Sequence, residues 1–345
     1  MKIGYFCYRL SGTGPRTRAK DIINGVATKT DHDVVVLTKE PGAVSDRAEV
    51  VEISLQNILG TAMATKRALS DVDVAHVPIN IYQVLFVRLF YRGPLVAGVG
   101  PGIQPGRRHR LLGYLLGIDK KMVVSKERSR WTKSGFDTTS VTATINRENF
   151  HPYDEDGTKR ARTKLNIPAG VDVVLYVGEL NEEYGAGIVD EMARIERGDD
   201  SLQFIVVGEG EMRNRFRDRT NVRYEGFVDN DQLPVYYNAA DVTIGPRRTD
   251  KTSNVGLESI ACGTPFVTTA DGLLEEIFEK HGSYVWAERT PEAVLSTVRA
   301  LLDDSTEYEE QVKRGLDTFE EAPLSLDTAI DTHLEVYEEV SNRGP

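Results

Sequence analysis

A loop and the helix that follows it, residues 246–269 (PRRTDKTSNVGLESIACGTPFVTT), contain residues whose types and spacing could bind a charged ligand. Asp250 and Glu258 stand eight positions apart and offer two carboxylates that could accept the hydroxyl groups of a sugar. The helix is predicted to begin at three residues: Ser253, Asn254 and Val255. Free backbone N–H groups at a helix N-terminus favour an anion such as a diphosphate. A capped helix with a solvated acid is the alternative interpretation.

Basic side chains accompany these carboxylates. Arg247, Arg248 and Lys251 lie in the same loop, and Arg16 and Arg18 flank a glycine-rich segment near the N-terminus. Because arginine pairs with phosphate oxygens through two parallel hydrogen bonds, these cations could neutralise a diphosphate. Each of them taken singly is also compatible with a solvated surface position.

The glycine-rich segment, residues 11–17 (SGTGPRT), follows an apolar run at 2–8 and precedes a predicted helix. Gly12 and Gly14 would let a ligand approach the backbone closely. Their spacing differs from the dinucleotide-binding fingerprint, which disfavours a nicotinamide enzyme.

The elements that must position these residues alternate along the chain. Short apolar runs rich in β-branched residues are separated by amphipathic segments, which is typical of parallel α/β units. Strands are predicted at residues 2–8, 33–38, 50–54, 73–77, 94–99, 121–125 and 141–145, and then at 172–178, 203–208, 222–228, 241–246 and 265–269. Helices are predicted at residues 18–29, 185–197, 211–218, 230–239, 273–280, 291–303 and 325–342. The predicted fold class is therefore α/β, with two doubly wound halves.

A polar segment at residues 151–170 separates the two halves and is interpreted as a linker with an incoming helix. A chain of 345 residues is long for one core and suits two domains. Open parallel sheets bind ligands at the carboxyl ends of their strands. Two such sheets facing each other would form a cleft with one substrate in each wall, an arrangement that suits group transfer between two molecules.

Residues 246–269 resemble the signature of the retaining, GT-B-fold glycosyltransferases of family 4. In that family two acids eight positions apart bracket a glycine-containing loop, which is followed by a helix of small residues, a Gly-x-Pro turn and a strand. Other segments resemble the family in chain order: residues 11–27, 71–78, 122–137, 145–152, 175–185, 205–216, 222–246 and 270–286. The resemblance covers nearly the whole chain and is most specific from 203 to 285.

The resemblance implies a GT-B fold, in which two Rossmann-like domains face each other across a cleft. Residues 1–160 would bind the acceptor, residues 161–324 would bind the nucleotide-sugar donor, and a helix within 325–345 would pack back toward the N-terminal domain. The implied activity transfers a sugar from a nucleotide diphosphate donor to a glycan or lipid-linked acceptor, with retention at the anomeric carbon. No cofactor is implied, and no metal is essential.

The resemblance also assigns roles to individual residues. Asp250 stands where a Glu is usual and would bind the donor sugar, whereas Glu258 would bind the nucleotide ribose. The expected donor-binding residues are Gly12, Gly14, Gly178, Arg247, Arg248, Lys251, Ser253, Asn254, Val255 and Glu258. The expected acceptor-side residues are His76, Gly100, Arg107 and Arg108.

Three departures from the family pattern leave alternatives open. Glu179 and Tyr184 occupy positions where the family usually carries an Arg and a Lys that neutralise the leaving diphosphate, and Gly100 replaces a His. Removing two cations from a site where negative charge accumulates should cost several kcal/mol. Either other cations replace them, or the protein is a catalytically impaired binding subunit. A nucleotide-sugar epimerase on the same fold is a further alternative.

Composition excludes several function classes. The net charge of −11 argues against general nucleic-acid binding, which needs a basic face. Cys7 and Cys262 support neither a disulfide framework nor a zinc site.

Two segments bear on membrane contact. The N-terminal residues are too mixed for a signal peptide and no apolar run approaches the ~20 residues of a membrane span, so a cytoplasmic location is expected. A basic and then apolar segment at 104–117, and an apolar segment at 83–96, could make peripheral contact with a membrane. The alternatives are a solvated loop and a buried helix with Arg88 and Arg92 on its edge.

Overall fold

The computed structural model of the chain describes residues 1–345 except 12–13, 55, 79–80, 99–110, 112, 125–127, 142–143, 218, 249–253, 271–278, 323 and 344–345. The chain divides into two compact units. The first comprises Met1–Thr144 with Leu324–Pro345, and the second comprises Ile145–Pro323.

The first unit is built on a parallel sheet whose described strands follow the order β3-β2-β1-β4-β5-β6-β7. The strands are β1 (Lys2–Phe6), β2 (Asp33–Thr38), β3 (Glu49–Glu52), β4 (Val74–Val77), β5 (Leu95–Gly98), β6 (Lys120–Val124) and β7 (Thr138–Val141). In the register, Ile3 is paired with Val34 on one side and with Val74 on the other. The central strands are apolar throughout because helices cover both faces of the sheet.

The second unit contains a parallel sheet whose described strands follow the order β10-β9-β8-β11-β12-β13. The strands are β8 (Asp172–Val177), β9 (Leu202–Val207), β10 (Val222–Gly226), β11 (Val242–Gly245), β12 (Phe266–Thr268) and β13 (Val285–Trp286). The strand order reverses between β8 and β11, so their carboxyl ends define a topological switch point, where open α/β sheets bind ligands.

The helices are α1 (Gly14–Lys29), α2 (Ile58–Ala68), α3 (Ile81–Arg88), α4 (Arg128–Lys133), α5 (Glu155–Lys164), α6 (Ala186–Ile195), α7 (Leu233–Ala239), α8 (Asn254–Ala261), α9 (Pro291–Asp303), α10 (Ser305–Glu321) and α11 (Leu326–Asn342). Side-chain caps explain several of their starts. Asn57 accepts from the N–H of Gly60 at the start of α2, and Ser325 accepts from the N–H of Thr328 at the start of α11.

Two helical layers enclose the first sheet. On one face α1 and α11 pack on the strands, and Ile22, Ile330 and Tyr337 lie in the same buried cluster as Ile3 and Tyr5. On the other face lie α2, α3 and the helical segment 111–115, whose buried side chains join a second cluster with β2, β4 and β5.

The predicted α/β class with two doubly wound halves is confirmed, and α9 has the predicted bounds of 291–303. Most of the predicted helix 273–280 lies outside the described residues. Helix α1 begins at Gly14, four residues before the predicted start at 18.

Three other predictions were wrong. The strand expected at 141–145 is β7, which ends at Val141, because the β-branched residues before that position pair with β6. The helix expected at 211–218 is a single 3-10 turn, Arg213–Arg215, since Met212 and Phe216 are the buried apolar side chains of that stretch. Helix α10 was not predicted, because Gln311, Gly315 and Thr318 form much of its buried side and give no apolar period.

The division between the units follows Thr144, earlier than the boundary expected at residue 160. Residues expected to form a linker already belong to the second unit. The N–H of Tyr153 donates to Asn238 at 2.7 Å, and Asp154 caps α5 through the N–H of Gly157.

Candidate functional site

Close backbone packing marks the switch point of the second sheet. Gly178 follows β8, and its N–H donates to the carbonyl of Val207 at 3.0 Å. Gly208 follows β9 with a φ of 137°, and a Cβ on it would lie 1.9 Å from the carbonyl oxygen of Gly178. Glycine is therefore required at Gly208, and the carboxyl ends of β8 and β9 present bare backbone.

A second glycine brings the start of α6 to the end of β11. Gly185 precedes α6 with a φ of 86°, and a Cβ on it would lie 2.0 Å from the carbonyl oxygen of Pro246. The N–H of Arg248 donates to the carbonyl of Glu183 at 2.8 Å and joins the same two segments. The loop after β8 and the loop after β11 thus form one crevice at the switch point, which we call the switch-point crevice.

Arg247 is the buried cation of this crevice. Its residue is 5% exposed, and its guanidinium lies 5.6 Å from the ring centroid of Tyr184. Its Nε is buried and has no hydrogen-bond partner among the described residues. Tyr176 holds the loop that carries Tyr184, because its hydroxyl donates to the carbonyls of Glu179 at 2.9 Å and Tyr184 at 3.3 Å.

A further arginine, which the sequence did not single out, lies beside the same loop. Arg289 follows β13 and donates from Nη2 to the carbonyl of Glu182 at 3.0 Å. Its Nε is buried and has no partner within the described part of the chain. Burial lowers the pKa of Arg289, and the positive charge of Arg248 lowers it further. Arg248 itself is exposed, so the crevice has one buried and two more accessible guanidinium groups.

Glu258 lies in the second turn of α8 and is 5% exposed. Its carboxylate accepts a hydrogen bond from the Tyr237 hydroxyl at 2.7 Å and from Nδ2 of Asn230 at 3.2 Å. Burial raises the pKa of Tyr237, and the negative charge of Glu258 raises it further, so the phenol stays protonated and donates. These two donors fix the orientation of the carboxylate.

Side-chain hydrogen bonds anchor the end of α8. The hydroxyl of Ser259 donates to the carbonyl of Thr264 at 2.7 Å, and the hydroxyl of Thr264 donates to the carbonyl of Tyr237 at 2.7 Å. Asn254 and Val255 form the first turn of α8 and are half-buried. The predicted helix start is therefore present at those two residues, and α8 is held against α7.

Several predicted site residues lie outside the described part of the chain: Gly12, Gly100, Arg107, Arg108, Asp250, Lys251 and Ser253. Their roles stay predictions. Gly14 begins α1, and Arg16 donates from Nη1 to the carbonyl of Ser11 at 3.4 Å. The Nε of Arg18 is buried and has no partner among the described residues.

His76 has a core position instead of the predicted acceptor-side one. It lies in β4, is 3% exposed, and its Nδ1 is 2.6 Å from the hydroxyl of Tyr337. The rings of Tyr5 and His333 lie 5.7 Å from its ring. Burial lowers the pKa of His76 well below its usual value, and His333 adds to the effect. The ring is enclosed by β1 and α11, which leaves no room for a substrate.

The structure leaves both cysteines, Cys7 and Cys262, buried and unpaired. Among the residues that the structure describes, no group of three or more His, Cys, Asp or Glu could hold a metal ion. The described helices include none that is long and apolar enough to cross a membrane.

Sequence comparison relates the second unit to a known family. Residues 171–304 match the family model for glycosyl transferases group 1. An uncharacterized glycosyltransferase of Methanocaldococcus jannaschii is 28% identical over 199 residues, which are 53% of this chain and 50% of the relative. A GDP-mannose-dependent alpha-(1-6)-phosphatidylinositol dimannoside mannosyltransferase of Mycobacterium tuberculosis is 26% identical over 170 residues, 48% of this chain and 44% of the relative. This chain spans about half the length of these curated relatives.

Structural comparison covers both units. HepE from Anabaena, solved in complex with UDP-glucose, matches with a TM-score of 0.78 and 14% identity, over 98% of this chain and 100% of that chain. At this identity the match bears on the fold, and it agrees with the two parallel sheets described above.

Proposed function

Because the chain belongs to the group 1 glycosyltransferases and has the GT-B fold, we propose that it transfers a sugar from a nucleotide diphosphate donor. The acceptor is a glycan or a lipid-linked glycan, and the configuration at the anomeric carbon is retained. The switch-point crevice of the second unit binds the donor, and the first unit binds the acceptor.

The observation that carries this proposal is the buried guanidinium of Arg247. A buried polar group without a partner costs free energy, so its retention is explained if a ligand completes its hydrogen bonds. A diphosphate is such a ligand, since its oxygens accept two parallel hydrogen bonds from arginine. The position of Arg247 beside bare backbone at the ends of β8 and β9 suits the close approach of phosphate groups.

The same contact addresses the missing cations. Tyr184 stands where the family usually has a lysine, and its ring supports the guanidinium of Arg247 at 5.6 Å. Arg289 and Arg248 flank the loop after β8. These arginines therefore replace the two absent cations and stabilise the negative charge that develops on the leaving diphosphate.

Glu258 is assigned to the ribose of the donor. Its carboxylate is oriented by Tyr237 and Asn230, and a carboxylate has about four acceptor sites, enough to receive ribose hydroxyls as well. Asp250 remains assigned to the donor sugar, and the start of α8 to the phosphates. The residues work by positioning and electrostatics, since no side chain stands out as a nucleophile.

The identity of the donor is bounded by the comparisons. HepE was solved with UDP-glucose and the mycobacterial relative is GDP-mannose-dependent, so a nucleoside diphosphate sugar is the common chemistry. Thermal unfolding with UDP, GDP and their sugars at millimolar concentration tests the proposal. A ligand at a hundred times its Kd adds about 2.7 kcal/mol, which raises the Tm measurably. If none of these compounds raises the Tm, donor binding is contradicted.

A catalytically impaired binding subunit is the second candidate, and Glu179 at the family's arginine position favours it. The two functions differ in turnover. An enzyme that binds the donor releases the free nucleotide, by transfer to an acceptor or slowly to water, whereas a binding subunit leaves the donor intact. The anomeric proton of the product, followed by NMR, reports whether the configuration is retained.

A further inference from the structure

One helical layer of the first unit exposes an unusual number of large apolar side chains. The layer consists of α2, α3 with the residues just after it, and the helical segment 111–115. Leu59 is 79% exposed, Leu89 is 66% exposed and Leu115 is 68% exposed. Further side chains of this kind on the layer are Ile58, Met63, Tyr82, Leu85, Leu111 and Tyr114. In the described residues, α1 and α11 on the opposite face bear none that is as exposed.

Hydrogen bonds connect the helices of this layer. The guanidinium of Arg88 donates from Nε to the carbonyl of Leu116 at 2.6 Å and from Nη1 to the carbonyl of Gly93 at 2.6 Å. The hydroxyl of Tyr91 donates to the carbonyl of Val72, which follows α2, at 3.2 Å. The exposed apolar side chains therefore stand on one continuous surface. Arg88, which was expected on an exposed helix edge, is instead turned inward and holds the layer together.

The layer is also free of acidic residues. Residues 74–118 contain no Asp or Glu, although Asp and Glu make up 53 of the 345 residues of the chain. Residues 53–70, which include α2, contain none either. Lys66, Arg67 and Arg92 are exposed on the layer. A cationic, apolar surface thus occurs in a protein whose net charge is −11.

We propose that this layer, which we call the apolar-cationic face, docks on a bilayer that contains anionic phospholipid. Exposed aliphatic side chains flanked by Lys and Arg are the combination that inserts at the boundary between acyl chains and anionic headgroups. A second copy of the chain fits less well, because a two-fold interface would place Lys66, Arg67 and Arg92 against the same cations of the partner.

Docking would orient the first unit toward the lipid. In parallel α/β units each helix starts near the carboxyl edge of the sheet, and Ile58 and Leu59 stand at the start of α2. The exposed apolar side chains therefore lie toward the edge at which such sheets bind ligands. A lipid-linked acceptor would be held near that edge. The docking itself does not depend on the proposed transfer reaction.

Vesicle co-sedimentation tests the inference. The full chain is mixed with vesicles of phosphatidylcholine alone or with phosphatidylglycerol, at low and at high salt. We expect binding to the anionic vesicles only, and a loss of about fivefold for each basic residue screened or removed. The variant Leu59→Glu/Leu89→Glu/Leu115→Glu should bind at least a hundredfold more weakly, because each leucine contributes about tenfold or more. Ile195→Glu in α6, where the apolar side chain is 42% exposed in the second unit, is the matched control and should bind like the wild type.

A second variant and two further readings decide the remaining outcomes. Lys66→Glu/Arg67→Glu should weaken binding without removing any apolar side chain. Failure of the wild type to bind anionic vesicles, or equal binding by the triple leucine variant, would overturn the proposal. If the wild type is a dimer that the triple variant dissolves, while neither binds vesicles, the face is a self-association surface instead. The Tm shift caused by nucleotide should be the same in all variants, so a failure of docking is separable from a failure of donor binding.

Discussion

Replacing Arg247 with methionine should change stability and ligand binding in opposite directions. The guanidinium is enclosed in a residue that is 5% exposed, and its Nε has no partner within the described residues. Removing a buried, unsatisfied polar group recovers about 1–3 kcal/mol. The lost contact with the Tyr184 ring costs about 0.5–1 kcal/mol, and methionine keeps most of the apolar packing. The free energy of unfolding without ligand should therefore stay unchanged or rise by up to about 2 kcal/mol.

Binding of a nucleoside diphosphate should weaken in the same variant. A hydrogen bond to a charged group contributes about 1.5–3 kcal/mol, and 1.4 kcal/mol corresponds to a factor of ten in Kd. We therefore expect Kd to rise about 10- to 150-fold. Arg247→Lys should give an intermediate Kd, because an ammonium keeps the charge but not the planar pair of donors.

Urea unfolding without ligand and calorimetric titration with UDP or GDP measure the two effects on the same protein samples. Arg160→Met is the matched control, since the side chain of Arg160 is 76% exposed on α5, and it should change neither quantity. If Arg247→Met lowers the free energy of unfolding by more than about 2 kcal/mol and leaves Kd unchanged, Arg247 is a structural residue and the reasoning fails.

Three further changes have expected results. Tyr237→Phe removes the donor to the buried carboxylate of Glu258 and should cost about 1.5–3 kcal/mol in urea unfolding; an unchanged midpoint would contradict the bond. Burial lowers the pKa of Lys121 to about 8, below its usual 10.5, so the unfolded chain binds the proton more tightly and the wild type should gain up to about 3 kcal/mol as the pH rises from 8 to 10.5. Lys121→Met should remove this pH dependence, which a series of urea curves measures; a flat wild-type profile would refute it. Gly185→Ala should destabilise by about 3 kcal/mol or more, because the new Cβ meets a carbonyl oxygen at 2.0 Å in a left-handed backbone, and it should weaken nucleotide binding. Gly170→Ala, at a φ of 75° with no atom within 4 Å, is its control and should cost only the backbone strain of about 1 kcal/mol; equal losses in the two variants would contradict the close contact.

The alternation of apolar runs was enough to predict the α/β fold, because strands covered on both faces are apolar throughout. Strands such as β2 and β8 show this in their unbroken runs of valine and leucine. Helix α10 could not be predicted in the same way, since Gln311 and Thr318 are buried by hydrogen bonds to neighbouring segments. Polar burial leaves no apolar period in the sequence.

The candidate site was predictable in part. Glu258 and Arg247 were identified from the loop and helix that carry them, whereas the donors Tyr237 and Asn230 gave no signal of their own. Arg289 is 107 residues away from its partner Glu182 along the chain, and only the sheet topology brings the two together. His76 was misassigned because a histidine near the end of a strand does not reveal which face of the sheet its ring occupies.

A crystal structure with a bound nucleoside diphosphate, UDP or GDP, tests the central claim most directly. We predict that the diphosphate lies in the switch-point crevice within hydrogen-bond distance of the Arg247 guanidinium, and that the ribose hydroxyls reach the carboxylate of Glu258. A nucleotide bound elsewhere, or a crevice that stays empty at saturating nucleotide with Arg247 still lying over Tyr184, would contradict the account.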